Sequence, residues 1–266
     1  MTIPKITNTL SAPEYFAYSG LSKTQLGYLK QSPSHLRNYL DTPHNPATPD
    51  QKFGSAVHTA CLEPETFGEQ YCVAPVCDRR TTIGKAAYAE FLAANVGKEA
   101  IDADDYQTVL NIAAAFRACP ALKQYGIGEG DGVAEASVFA VDGGTNLSIK
   151  ARLDYYHPAT NTIIDIKTTK SADFWSFRRE IFKYSYALQS CHYRDIVEQI
   201  TGRPARFIFV AIEKESPHGI QLFELDEESH LKADTERREL IRGWAKALST
   251  NTFNSYPSEV ASVSLK

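Results

Sequence analysis

Residues 146–168 read NLSIKARLDYYHPATNTIIDIKT, two alternating, β-branched segments around the turn His157-Pro158-Ala159-Thr160-Asn161. Turn formers between two such segments predict a β-hairpin, with strands over 146–156 and 162–168. Residues two apart on a strand share a face, so Asp165 and Lys167 emerge together while Ile164 and Ile166 point the other way. On the preceding strand the same alternation sets Asp154 with Arg152 and Lys150, opposite Leu153, Ala151 and Ile149. Folding the hairpin superposes the two polar faces, and two carboxylates and an ammonium converge on one spot.

Outward from the hairpin, the glycine-rich run 126–132 must turn, and a further strand is expected over 133–141. An aromatic-rich helix is predicted from about 173 to 200, stopped by Gly202 and Pro204. Residues 205–213 (ARFIFVAIE) are apolar on both faces, as in a buried strand. A strand at 219–225 and a helix from Asp226, whose carboxylate can cap it, follow. Upstream, Ser22 and Ser32-Pro33-Ser34 open short helices, and 41–50 (DTPHNPATPD) reads as a loop. Helices are expected over 51–62, 85–96 and 103–118, with a basic loop at 78–85 (DRRTTIGK). Helices, three strands, a long helix, then strand, strand and helix describe an α/β (α+β) fold, a mixed central sheet flanked by helices. The expectation is one domain, 1–266, whose mainly helical portion 1–120 carries His58 and whose sheet core 121–266 carries Asp154, Asp165 and Lys167.

The 266 residues are 43% hydrophobic and 23% charged, with a net charge of -4, an ordinary globular composition without an apolar run long enough for a membrane span. The sequence MTIPKITNTLSAPEYF lacks the basic start and apolar run of a secretory signal. Cys61, Cys72, Cys77, Cys119 and Cys191 are odd in number and irregularly spaced, pointing to reduced thiols and a cytoplasmic setting. Net acidity neither favours nor excludes a polyanionic partner, because binding depends on the local field.

Phosphodiester hydrolysis uses a set such as Asp154, Asp165 and Lys167. Hard oxygen ligands suit Mg²⁺, which polarises the phosphoryl oxygen and acidifies water, and a lysine orients that water or offsets developing charge. On its own Asp-x-Lys is matched as well by a salt bridge on an exposed sheet face. His58 lies one helical turn after Gly54, where a ligand or sheet edge can approach closely. It reads equally as a structural histidine; as a ligand it would predict tolerance of Mn²⁺. Gln189 and Tyr193, four apart on a helix, can orient water or phosphate, or simply belong to a mixed polar face. Glu135 is a further candidate carboxylate, or an exposed strand residue. Arg79, Arg80 and Lys85 suit phosphate contact, though solvated loop charges look the same. Phe174, Trp175 and Phe177 can stack on bases, but such aromatics more often pack in a core. Cys191 and His192 diverge on a helix, which argues against a nucleophilic dyad.

The order of these signals is more specific than any one of them. Gly54-Ser55-Ala56-Val57-His58, Arg152-Leu153-Asp154, Asp165-Ile166-Lys167-Thr168-Thr169 and Gln189-Ser190-Cys191-His192-Tyr193 resemble the RecB-like branch of the PD-(D/E)xK nucleases, within it most of all the RecE-type exonucleases (the C-terminal nuclease domain of exonuclease VIII). Leu21-Ser22-Lys23-Thr24-Gln25-Leu26, Leu62-Glu63-Pro64-Glu65-Thr66-Phe67 and Arg79-Arg80-Thr81-Thr82-Ile83-Gly84-Lys85 extend the likeness over nearly the whole chain. Leu153 stands where many members have proline, and no cysteine cluster of the iron–sulfur branch is present.

The resemblance implies that His58, Asp154 and Asp165 ligate metal with the Ile166 carbonyl, that Lys167 is the catalytic lysine, and that Gln189 and Tyr193 form the family's glutamine–tyrosine motif. It implies one or two Mg²⁺ ions, with Mn²⁺ tolerated, and 5′→3′ exonuclease action on the ends of linear double-stranded DNA. It further implies phage or prophage recombination beside a single-strand annealing protein, and a homo-oligomeric ring. Two other readings are an endonuclease on the same fold and a catalytically inactive DNA-binding module.

Overall fold

A computed structural model of the chain describes residues 6, 10–43, 46–128, 130, 132–256, 258–260, 262 and 263. In chain order the helical part comprises α1 (Ala12–Ala17), α2 (Lys23–Gln31), α3 (Pro33–Asp41), α4 (Pro49–Leu62), α5 (Pro64–Gln70), β1 (Tyr71–Val73), α6 (Thr82–Ala94), β2 (Glu99–Ile101) and α7 (Ala103–Ala118). After a 3₁₀ turn at Pro120–Tyr125 come β3 (Val133–Val141), β4 (Ser148–His157), β5 (Thr162–Thr169), α8 (Phe174–Lys183), α9 (Tyr186–Thr201), β6 (Arg206–Glu213), β7 (Ile220–Phe223) and α10 (Glu227–Thr250). Local chemistry sets many of these starts. Ser22 and Thr48 close capping boxes with Gln25 and Gln51, and Asp226 caps α10.

The main sheet runs β3-β4-β5-β6-β7, antiparallel except for the parallel β5–β6 pair joined through α8 and α9. Its two faces carry separate cores. Ile149, Leu153, Ile163 and Phe207 pack with α9 and α10 on one side; Ile164, Ile166, Ile208 and Val210 pack with α4 and α7 on the other. The result is the mixed sheet between helical layers that the hydrophobic patterns predict. Among the described residues no helix is long and apolar enough to cross a membrane.

Several boundaries differ from expectation. The predicted helix 173–200 is two helices, broken where Ser185 adopts φ +53°. The basic loop is shorter than predicted, because the Thr81 hydroxyl caps a helix that already begins at Thr82. Short α1 and α5 and the parallel pair β1–β2 were not expected, being three to seven residues long with no clear periodicity. Parts of the 41–50 loop (44, 45) and of the glycine turn (129, 131) lie outside the described residues.

One irregularity positions everything that follows. Leu153 and Tyr155 are two apart yet lie in opposite cores, and so do Ala136 and Ala134 on β3. Alternation therefore breaks once on each strand, at Asp154 and Glu135. These two residues are also the one pair missing from an otherwise continuous β3–β4 register between Val133↔Tyr156 and Val141↔Ser148. Glu135 takes φ +51°, which a side chain adopts at a cost of about 1 kcal/mol or more. The paired region of β4 and β5 stops at Tyr155↔Ile164, one step before Asp154 and Asp165. Beyond that point Leu21 takes over as the neighbour of β4, its N–H bonding Ser148 O at 2.8 Å and its carbonyl accepting from Lys150 N at 2.9 Å.

Candidate metal centre at the strand divergence

The gap where β4 and β5 part is filled by side chains. Asp154 Oδ2 accepts the Ile166 N–H at 2.8 Å, standing in for the next ladder bond. Sequence alternation set Asp154 with Arg152 and Lys150; the break in alternation turns it into the gap instead. Lys150 is buried, its ammonium donating to the carbonyls of Tyr15, Phe16 and Tyr18 at the end of α1.

From the α4 side, His58 reaches the same gap. Its Nε2 lies 3.0 Å from Ile166 O and its Nδ1 3.5 Å from Asp154 Oδ2. A ring nitrogen facing a carbonyl must carry the proton, so Nδ1 presents a lone pair to a carboxylate oxygen. Burial lowers the pKa of His58 and keeps the ring neutral. The His58 lone pair thus faces the Asp154 carboxyl across the gap. Ile166 O, a ligand by the resemblance, is held against His58. Glu135 completes the set: ligand atoms of His58, Glu135 and Asp154 all lie within 4.8 Å of one another.

From the α9 side, Gln189 Nε2 donates to Asp165 Oδ2 at 2.5 Å, and Tyr193 follows one turn later on the same helix. Burial raises the Tyr193 phenol well above its ordinary pKa, so it stays protonated. Asp165 Oδ1, fully buried, pairs with Lys167 Nζ, whose ammonium also sits 4.8 Å over the Tyr186 ring. The seven residues expected at the centre, together with Glu135, therefore surround one gap. Asp165, turned toward Lys167 and Gln189, is not among the three that converge most closely.

The electrostatics favour a cation. Burial, and then the charge of Asp165, push the Asp154 carboxyl up to about 8. Burial, and then Asp154, raise Glu135 as well, against the pull of Arg152, whose Nε donates to Glu135 Oε2 at 2.7 Å. Crowded carboxylates beside a neutral imidazole lone pair make a hard-to-borderline donor set, and a divalent cation fits it.

Sequence reasoning missed three neighbours. Lys23, in the first turn of α2, lies 5.5 Å over the same Tyr186 ring, and burial, then Lys167, depress it to about 8. Tyr186 is three residues before Gln189 on α9, a spacing that could have flagged it. Arg152 ties down Glu135. Of the predicted phosphate-binding set, Arg80 is paired with Asp78, Arg79 stacks on Tyr88 at 4.7 Å, and Lys85 is exposed in α6. Of the three aromatics read as core, only Phe177 is buried; Phe174 and Trp175 face solvent.

A family model described as "PDDEXK-like domain of unknown function (DUF3799)" matches residues 22–261. No curated protein matches the chain. Among solved structures, one from Eubacterium rectale described as "Putative exonuclease" aligns over 97% of this chain and 96% of its own, with a TM-score of 0.62 at 13% identity. A phage-related exonuclease from Haemophilus somnus 129PT aligns over 65% of this chain and 85% of its own, with a TM-score of 0.31 at 14% identity.

Proposed function

The chain belongs to the PDDEXK-like family DUF3799, and from that membership we propose that it is a metal-dependent DNA exonuclease of RecE type. The observation that carries this reading is the donor set of His58, Glu135 and Asp154 in the gap between β4 and β5, with Asp165 and Lys167 at its rim.

When bound, a divalent cation supplies Lewis acidity toward the phosphoryl oxygen and lowers the pKa of water. His58 Nδ1, Asp154, Glu135 and Asp165 are the groups to hold it. Lys167, beside Asp165 and backed by the Tyr186 ring, is set to hydrogen-bond the attacking water and offset charge building on the phosphate. Gln189 fixes Asp165 through one oxygen, with the protonated Tyr193 one helical turn beyond it. Mg²⁺ is the proposed ion; the imidazole favours tolerance of Mn²⁺.

The finer reading is 5′→3′ hydrolysis of linear double-stranded DNA from its ends, as one domain acting in a cytoplasmic homo-oligomeric ring beside a single-strand annealing protein in phage or prophage recombination. Its support is the ordered set of motifs that resembles the RecE type.

The test is Mg²⁺-dependent release of label from linear duplex labelled at either end, with covalently closed circular duplex in parallel. Early release of the 5′ label and an intact circle are expected, with Lys167→Ala lowering the rate by about 10²-fold or more. Nicking of the circle would replace the reading with an endonuclease. Tight DNA binding without hydrolysis in Mg²⁺ or Mn²⁺ would replace it with an inactive binding module.

A further inference from the structure

Helix α8 carries exposed aromatic rings interleaved with cations. Trp175, Phe182 and, just beyond its end, Tyr184 are 65%, 69% and 44% exposed. Arg178 lies over both rings of the helix, 5.9 Å from Trp175 and 5.3 Å from Phe182, while Lys183 covers Tyr184 at 4.8 Å. Among the described residues, Arg178, Arg179 and Lys183 form no ion pair with a carboxylate, and the one acid of the helix, Glu180, turns inward to Thr169. Large exposed rings interleaved with unneutralised cations on a chain of net charge -4 mark an interaction surface rather than a solvated face.

This surface is continuous with the metal centre. From Lys167 Nζ the path runs 4.8 Å to the Tyr186 ring, 5.5 Å on to Tyr184, and 4.8 Å to Lys183. With stacked nucleotides spaced ~3.4 Å along a strand, the C-terminal end of α8 lies within roughly five nucleotides of Lys167.

We propose that the exposed face of α8 is a stacking platform for unpaired nucleotides of the DNA strand that runs through the metal centre. This rests on the DNA-directed reading above. The chemistry of the face selects that occupant: rings accept the faces of unpaired bases, whereas paired bases within a duplex hide theirs, and the cations meet the phosphates between them. An isologous contact with a second copy would set two cationic faces against each other.

The two tryptophans make the test direct, because Trp175 is exposed and Trp244 is buried at 5%. In EDTA, oligo-dT of 20 nucleotides is expected to quench the emission saturably, with a blunt hairpin duplex quenching far less. Trp175→Phe should abolish the quench, and Trp175→Ala or Phe182→Ala should weaken oligo-dT binding on the order of tenfold. Equal quenching by blunt duplex, equal binding of heparin, or unchanged affinity in both alanine variants would overturn the platform. So would a concentration-dependent shift of Trp175 emission without DNA, accompanied by self-association in sedimentation. Hydrolysis in Mg²⁺ is scored separately on the same preparations. Absence of the quench in the wild-type protein with hydrolysis intact refutes only the platform, and a wild-type quench without hydrolysis refutes only the nuclease reading.

Discussion

Replacing Asp154 by asparagine should stabilise the metal-free protein at neutral and higher pH. The Asp154 carboxyl, ordinarily near 3.8, is pushed up to about 8, first by burial and then by Asp165. Between those values the folded state holds a proton that the unfolded state has released. Stability must then fall as pH rises through this window, and the cost is complete above about pH 8. Four pKa units correspond to a cost on the order of 5 kcal/mol. The side chain is only 15% exposed, so solvent screening removes little of it. For a chain of this length each kcal/mol moves the melting temperature by about 2–4 °C, so the wild-type protein in EDTA should lose about 10 °C or more relative to Asp154→Asn between pH 5 and 8.5. Asparagine keeps the oxygen that accepts the Ile166 N–H and cannot ionise. The variant should therefore lack this decline. Mg²⁺ or Mn²⁺ should restore the wild-type protein at pH 8.5 and do little for the variant. Thermal denaturation across this range, with and without metal, reads all of these effects. Superimposable profiles for the two proteins in EDTA would refute the assignment of the cost to Asp154.

Two further predictions concern the frame around the site. His192 is fully buried, with Nε2 3.1 Å from Leu21 O and 3.2 Å from Lys150 O, and burial, then Arg237, depress its pKa to about 4. The unfolded state binds the extra proton below about pH 6.5, so stability is lost as pH falls from there to about 4, by about 3 kcal/mol. Urea unfolding of wild type against His192→Gln over pH 4–7 checks this, since the glutamine variant should lack that component. Asn161, at φ +51°, donates to the Arg203 and Pro204 carbonyls at 2.9 Å each and accepts from the Tyr156 hydroxyl at 2.7 Å. Asn161→Ala should cost about 3 kcal/mol in chemical denaturation, and Asn161→Gly about 1 kcal/mol less because the left-handed backbone suits glycine.

The hairpin and its flanking elements were readable because period-two alternation and turn residues are local properties. Ile164 and Ile166 do lie opposite Asp165, as their spacing requires. The orientation of Asp154 was not readable. Alternation fails at a paired irregularity with Glu135 on β3, and nothing within β4 encodes it. The split between α8 and α9 was hidden for a related reason, since Tyr184-Ser185 sits within a helix-like pattern and only the φ of Ser185 betrays the break. The approach of Lys23 depends on Leu21 docking against Ile149, a contact 128 positions apart along the chain. Burial of Phe177 beside exposed Trp175 follows from which face of α8 meets the sheet, and both residues look alike in sequence.

The carboxylate in the strand gap has two duties, one to the backbone and one to the chemistry, and they answer to different selective pressures. A descendant that abandoned hydrolysis would be free to lose the Lys167 ammonium but would still have to satisfy the Ile166 N–H, which the parted strands leave without a ladder partner. Aspartate or asparagine at 154 would then persist without function. Among relatives of this chain, an intact aspartate there is weak testimony for activity; retention of Lys167 and the His58 imidazole is the stronger sign.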